Sequence, residues 1–355
     1  MLDIKVTLSD HLKAKPADES ALGFGRIFTD HMFLMDYEAG RGWHDARIVP
    51  YGSFAIDPAA MVLHYGQAIF EGTKCYRRAD GGLQLFRPGD NLARMSRSAE
   101  RMCMPKLDEE TALEGLKQLI RVDADWVPHK EGTSLYIRPT MISMDVGLGV
   151  HASKKYLFFI ILSPVGAYYK EGLKPVSIYV EDEYVRAVRG GVGFTKCAGN
   201  YAASILAGDI AEQKGFSQVL WLDGVEQKYV EEVGSMNMMF AYGNKIVTPR
   251  LNGSILPGIT RDSVLKLAKQ LGYEAEEERL DINEIFADAK SGKLTEAFGT
   301  GTAAVISPVG TLALKDEKVV LGDGGIGKIS QKLYDTLTGI QYGRLPDENG
   351  WIVKL

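Results

Sequence analysis

Lys196 lies in FTKCAGNYAAS (194–204), directly after the glycines Gly190, Gly191 and Gly193 and before what reads as a helix start. A lone lysine is ordinarily a solvated surface charge, so any chemistry must be carried by its company. Two phosphate-loop readings fail on spacing. G-x-x-x-x-G-K-[ST] needs glycine immediately before the lysine, and Phe194 and Thr195 intervene. A dinucleotide fingerprint needs a third glycine where Lys196 stands. What remains is an amine that attacks a carbonyl, which burial or nearby cations would favour by lowering its pKa.

A carbonyl supplied by pyridoxal 5'-phosphate would make three more demands: a phosphate cradle, a carboxylate for the pyridinium nitrogen and a donor to the ring oxygen. LPGITRD places the N–H groups of Ile259 and Thr260 at a helix N-terminus, where dipole and unpaired donors favour an anion. GTGTAA (299–304) adds small residues and the Thr302 hydroxyl. Arg94, Arg97 and Arg101 share a helix face and all offer positive charge; periodicity does not choose among them. In YVEEVGSMN, Glu231 and Glu232 point to opposite faces of a strand, and spacing does not say which turns inward.

The elements that must position these groups are mixed. IFTDHMFLMDY (27–37) and LQLFRP (83–88) read as antiparallel strands, and SLYIRPTMIS and KYLFFIILSPVGAYY as buried ones. Asp90 or Asn91 is expected to cap a helix with Leu92, Met95, Ala99 and Met102 on its apolar face, ended by Pro105. A second helix is expected over 111–127 and a third over 200–214, closed by Gly215. QVLWLDG, EQKYVEEVG, MNMMFAYGN and KIVTP form a meander, and helices follow from Pro257-Gly258 and over 281–290. The polar stretch KEGLKP after Tyr169 predicts an N-terminal domain 1–169, a linker 170–181 and a C-terminal domain 182–355.

Composition narrows the partners. The chain has 355 residues, 45% hydrophobic, with a net charge of −5 and no long like-charge block. That gives no basic face for nucleic acid and no polybasic membrane anchor. Cys75, Cys103 and Cys197 are odd in number and far apart, so neither a disulfide framework nor a metal site is expected. With no apolar leader or long apolar run in view, the expectation is a cytoplasmic protein.

The chain resembles the branched-chain-amino-acid aminotransferases of the type IV pyridoxal-phosphate fold. The resemblance rests on FGRIFTDHM (24–32), LHYGQAIFEGTKCY (63–76), LFRPGDNLARMSRSAERM (85–102), SLYIRP (134–139), SPVGAYY (163–169), GGVGFTKCAGNY (190–201), EEVGSMN (231–237), LNGSILPGITRDSV (251–264), FGTGTAAVISPV (298–309) and IQYG (340–343). It implies two mixed α/β domains, an α+β class, with the active site between the domains, in a homodimer. It makes Lys196 the Schiff-base lysine and Tyr201 the ring-oxygen donor. Glu232 becomes the pyridinium partner, and Arg94 the phosphate ligand with Ile259, Thr260 and Thr302.

The same resemblance implies an aromatic pocket of Phe24, Tyr65, Phe70, Tyr136 and Tyr168, with Leu148 and Val150 on a loop reaching the neighbouring subunit's pocket. Ser235 and the N–H of Ala303 are expected at the substrate α-carboxylate. Arg138 is expected to take the side-chain carboxylate of glutamate, because aromatic walls do not compensate a buried charge. Ala304 and Ser307 replace the CxxC cysteines of mammalian members, which removes thiol regulation there, while Cys197 beside the lysine is a candidate reactive thiol. The expected reaction is amino transfer between L-leucine, L-isoleucine or L-valine and 2-oxoglutarate. D-amino-acid aminotransferases and aminodeoxychorismate lyases share the cofactor motifs and are the alternatives.

Overall fold

SLYIRPTMIS has too few polar positions for a half-wet strand. In the computed structural model, which describes residues 1–166 and 173–355, it is the strand Ser134–Ser143 inside a nine-stranded sheet. It pairs along its whole length with Lys155–Val165, which is flanked in turn by His31–Glu38 and Gly42–Pro50. On the other side run Thr73–Arg77, Leu83–Phe86 and Ile352–Lys354, and Ala68–Phe70 pairs with the far end of Ser134–Ser143. All these pairings are antiparallel.

Helices Pro88–Arg101 and Glu109–Val122 belong to the same unit. Leu92, Met95 and Ala99 on the first, and Leu116, Leu119 and Ile120 on the second, are buried together with Phe33, Met35 and Phe158 of the sheet. Each such side chain contributes about 1.5–3 kcal/mol relative to exposure. Gly115 allows the close approach: a Cβ there would meet the Phe33 ring at 2.4 Å. The first helix starts earlier than expected. Pro88 occupies its first turn and Arg87, at φ 50°, is the N-cap. Asp90 instead accepts from Arg87 Nε at 2.7 Å, and Asn91 turns inward.

The second sheet also has nine strands, in the order Val230–Val233, Gln218–Leu222, Val176–Val180, Val305–Leu314, Glu296–Gly301, Met236–Tyr242, Lys245–Pro249, Glu274–Glu278, with Glu317–Val320 beside Val305–Leu314. Val230–Val233 pairs back onto Met236–Tyr242, so the first six strands of that order close into a ring. The edge strand Glu274–Glu278 reads EAEEE; its charges discourage edge-to-edge association, and Lys245 binds Glu276 and Glu278 at 2.7 Å each. The expected helix over 200–214 is two, Ala198–Ala203 and Ile205–Gln213. Ser204 separates them, its Oγ donating to the Tyr201 carbonyl at 2.8 Å.

The chain divides into two compact units, Met1–Lys170 with Thr195–Gly199 and Ile340–Leu355, and Glu171–Phe194 with Asn200–Gly339. This corrects the expected linker 170–181, since Val176–Val180 within it is a strand of the second sheet. The Gly- and Pro-containing KEGLKP masks the β-branched alternation that follows it. It also corrects a single boundary. The lysine segment joins the first unit through Phe70 N–H to Lys196 carbonyl at 3.0 Å, and the C-terminus joins it through Ile352–Lys354.

Candidate active site

Lys196 is held by its backbone on both sides. Its carbonyl accepts from Phe70, its N–H donates to Ser98 Oγ at 3.0 Å, and neighbouring Cys197 forms an antiparallel bridge with Ile69. The ammonium nitrogen lies 4.9 Å from the centre of the Phe70 ring. Burial, followed by the charge of Arg94, presses its pKa from 10.5 down to about 8, against the pull of Glu71. A lowered pKa alone does not select a nucleophile: burial brings Lys74 to about 8 as well. Lys196 differs in its company.

That company centres on Glu71, a fully buried carboxylate that sequence reasoning missed. It accepts Arg94 Nε at 2.7 Å and Nη2 at 2.8 Å, a two-pronged pair, and Asn91 Nδ2 at 2.9 Å. Burial alone would raise its pKa, yet Arg94, Lys196 and Asn91 outweigh burial and hold the carboxyl below the usual range. Arg94 is thus buried and oriented, while Arg97 and Arg101 are exposed.

Around the lysine, Phe24 packs edge-to-face on Tyr136 at 4.8 Å, and Arg138 lies over the rings of Phe70 and Tyr136 at 4.7 and 5.3 Å. Arg138 Nη2 donates to the Tyr136 hydroxyl at 3.2 Å, its buried Nε has no partner, and no carboxylate pairs with it among the described residues. Gly72 makes room for this arrangement, since a Cβ there would sit 2.1 Å from the Tyr136 oxygen. Tyr65 donates to the Leu148 carbonyl, and Leu148 and Val150 are 69% and 81% exposed. Tyr168 lies outside the described residues.

In the second unit Glu232, buried like Glu231, belongs to a different network from it. Its Oε1 accepts from Leu256 N–H at 2.7 Å and Asn237 Nδ2 at 3.4 Å. Arg186 Nε lies 3.0 Å from its Oε2, a charge contact off the hydrogen-bond direction. Asn237, also missed from sequence, connects the parts. It is opposite Glu232 on one neighbouring strand and Thr300 on the other, and its amide donates to the Leu256 carbonyl at 2.9 Å. A Cβ on Gly258 would meet Asn237 Oδ1 at 2.0 Å, so glycine is what lets helix Ile259–Gln270 begin there, with no side-chain cap over Ile259 and Thr260.

Thr302 and Ala303 occupy the tight turn between Glu296–Gly301 and Val305–Leu314, and Ser235 is exposed in the turn after Val230–Val233. The pairing of these strands brings both turns to the same end of the sheet as Glu232. Tyr201 is half-buried in Ala198–Ala203. Cys197 is 1% exposed, so the reactive-thiol expectation lacks solvent access. Among the described residues no helix is long and apolar enough to cross a membrane.

A nucleophilic amine of lowered pKa and a buried carboxylate with its own counter-ion are the donor set a pyridoxal phosphate takes, so the residues fit that group. The comparisons agree with this chemistry. The family model of class IV amino-transferases matches residues 68–312. Branched-chain-amino-acid aminotransferase 2 of Bacillus subtilis is 57% identical over 352 residues, covering 99% of this chain and 97% of its own. The crystal structure of the Escherichia coli branched-chain amino acid aminotransferase superposes with a TM-score of 0.75 at 28% identity, covering 90% of this chain and 98% of that one. The T.th. branched-chain amino acid aminotransferase in complex with N-(5'-phosphopyridoxyl)-L-glutamate gives 0.74 at 27%, covering 90% and 97%. The chain therefore belongs to the class IV aminotransferases.

Proposed function

We propose that this chain is a branched-chain-amino-acid aminotransferase that moves the amino group of L-leucine, L-isoleucine or L-valine to 2-oxoglutarate, reversibly, with pyridoxal 5'-phosphate as cofactor. The observation that carries the reading is Lys196, an amine held at a pKa of about 8 beside the buried Glu71–Arg94 pair and the Phe70 ring. It does so in a chain 57% identical to an enzyme of that name.

When bound, the cofactor supplies a carbonyl that takes up the amino group and a ring that accepts an electron pair. Lys196 anchors that carbonyl and, once displaced, takes the proton from the substrate Cα and returns one, a task suited to an amine with a pKa near working pH. Glu232 is the carboxylate that keeps the ring nitrogen protonated, and Tyr201 donates to the ring oxygen. Arg94, the N–H groups of Ile259 and Thr260 and the Thr302 hydroxyl hold the phosphate. Ser235 and the N–H of Ala303 bind the substrate α-carboxylate.

Phe24, Phe70 and Tyr136 provide the apolar walls for an aliphatic side chain, as does Tyr65. Arg138, stacked on two of those rings with an unpartnered Nε, is the cation for the distal carboxylate of glutamate. The exposure of Leu148 and Val150 supports a loop that completes the pocket of a partner subunit, and the working unit is proposed as a homodimer in the cytoplasm. The test is amino transfer to 2-oxoglutarate from L-leucine, L-isoleucine and L-valine against D-alanine, with the visible absorption of the purified protein recorded for the native chain and Lys196→Ala. The expected result is activity with the three L-amino acids and a band lost on substitution. Activity with D-alanine alone would overturn the proposal.

A further inference from the structure

Arg186 is a charge that the proposed reaction does not use. It sits in the irregular segment between strand Val176–Val180 and the glycine run before Lys196, yet its side chain is only 7% exposed. A guanidinium leaves water only against compensating partners. Its Nη2 donates to the carbonyls of Gly193 at 3.1 Å and Ser254 at 2.5 Å, and its Nε lies 3.0 Å from Glu232 Oε2. Gly193 admits this approach, because a Cβ there would stand 2.1 Å from the Ser254 oxygen.

Those contacts close a circuit. Arg186 holds the Ser254 carbonyl, and two residues on the Leu256 N–H donates to Glu232 Oε1 at 2.7 Å. The Leu256 carbonyl accepts from Asn237 at 2.9 Å, and helix Ile259–Gln270 begins three residues later. Arg186 therefore ties the carboxylate assigned to the ring nitrogen to the segment that leads into the helix start assigned to the phosphate. Leu256 and Asn237 bring Glu232 only neutral amide donors. At 3% exposure burial favours the protonated acid, and a carboxyl that keeps its own proton does not keep a pyridine protonated. The penalty at this place is real. Burial pushes the neighbouring Glu231 carboxyl up, even against the hydrogen bonds of Ser254 and Asn252 and the charge of Arg186.

We propose that Arg186 is a positioning residue for the cofactor ring: its guanidinium holds Glu232 as the anion that keeps the ring nitrogen protonated, and its Nη2 fixes the Ser254–Leu256 segment that donates to that anion. This rests on the reading of Glu232 as the ring-nitrogen partner. An arginine suits the task because it stays charged at every working pH, so its hold on Glu232 does not titrate.

The experiment is NMR of the protein loaded with pyridoxal phosphate isotopically labelled at its ring nitrogen, for the native chain, Glu232→Gln, Arg186→Gln and Arg186→Lys. The native nitrogen is expected at the pyridinium position and that of Glu232→Gln at the pyridine position. Arg186→Gln keeps an amide donor for the two carbonyls but no charge. It should move the signal towards pyridine, about tenfold in proton occupancy for each unit by which the carboxyl gains proton affinity over the ring. Arg186→Lys keeps the charge without the planar fork; its nitrogen should stay pyridinium while its unfolding midpoint falls. A signal that ignores Arg186→Gln, or that Arg186→Lys moves as far, overturns the proposal. If Arg186→Gln folds poorly, Arg186→Lys decides alone, and a pyridine signal there overturns it. If Glu232→Gln leaves the native signal in place, the ring-partner reading itself fails and the proposal falls with it.

Discussion

Replacing Lys196 with methionine should abolish activity and stabilise the cofactor-free protein. In the unfolded chain the amine is protonated up to its ordinary pKa of 10.5, whereas in the folded chain burial and Arg94 limit protonation to below about 8. At about 1.4 kcal/mol per pH unit, folding below pH 8 therefore carries a penalty of about 3 kcal/mol for this one charge. Between pH 8 and 10.5 the unfolded state binds more protons than the folded one, so wild-type stability rises with pH; above 10.5 the penalty is gone. Methionine fills similar volume without charge and removes the penalty at every pH.

Urea unfolding of both cofactor-free proteins, from pH 6.5 to 10.5, measures this directly. The methionine variant should be more stable by about 3 kcal/mol at pH 7, with the gap closing across pH 8 to 10.5. Lys74, whose pKa is also near 8, is present in both proteins and cancels. A variant no more stable than wild type at pH 7, or a gap that ignores pH, would show that the Lys196 amine is not held against its solvation preference.

Three further outcomes follow from the same geometry. Arg186→Met removes the guanidinium 3.0 Å from Glu232 Oε2 and should cost about 3–5 kcal/mol in urea unfolding at pH 7. Gly72→Ala sets a methyl 2.1 Å from the Tyr136 oxygen; the ring must move or the sheet give way, at about 1–3 kcal/mol, visible as a lower unfolding midpoint and a raised KM for leucine. Arg138→Met should raise the KM for 2-oxoglutarate about 10- to 100-fold and change that for leucine little, as steady-state kinetics with each varied substrate will show.

Much of the fold was legible because apolar periodicity is local. SLYIRPTMIS became Ser134–Ser143 and KIVTP became Lys245–Pro249 without adjustment. Pro257-Gly258 marked a helix start that the structure places at Ile259. The strand Val176–Val180 was hidden by the Gly and Pro that precede it, and the edge strand EAEEE carries no apolar alternation to find. Helix Pro88–Arg101 began two residues before its expected caps, because Arg87 takes a left-handed conformation that side-chain chemistry does not announce.

The sequence by itself determined the reactive inventory: a lysine after a glycine run, a pair of glutamates, a helix start suited to an anion and a string of family motifs. Only the tertiary structure decided which members of each set are buried and with which partners they pair. Glu71 selects Arg94 from three arginines across 23 residues of chain, and Arg186 and Asn237 gather around Glu232 rather than Glu231. Those choices rest on burial and countercharge. Both depend on residues distant in the chain, which the spacing of any one motif does not encode.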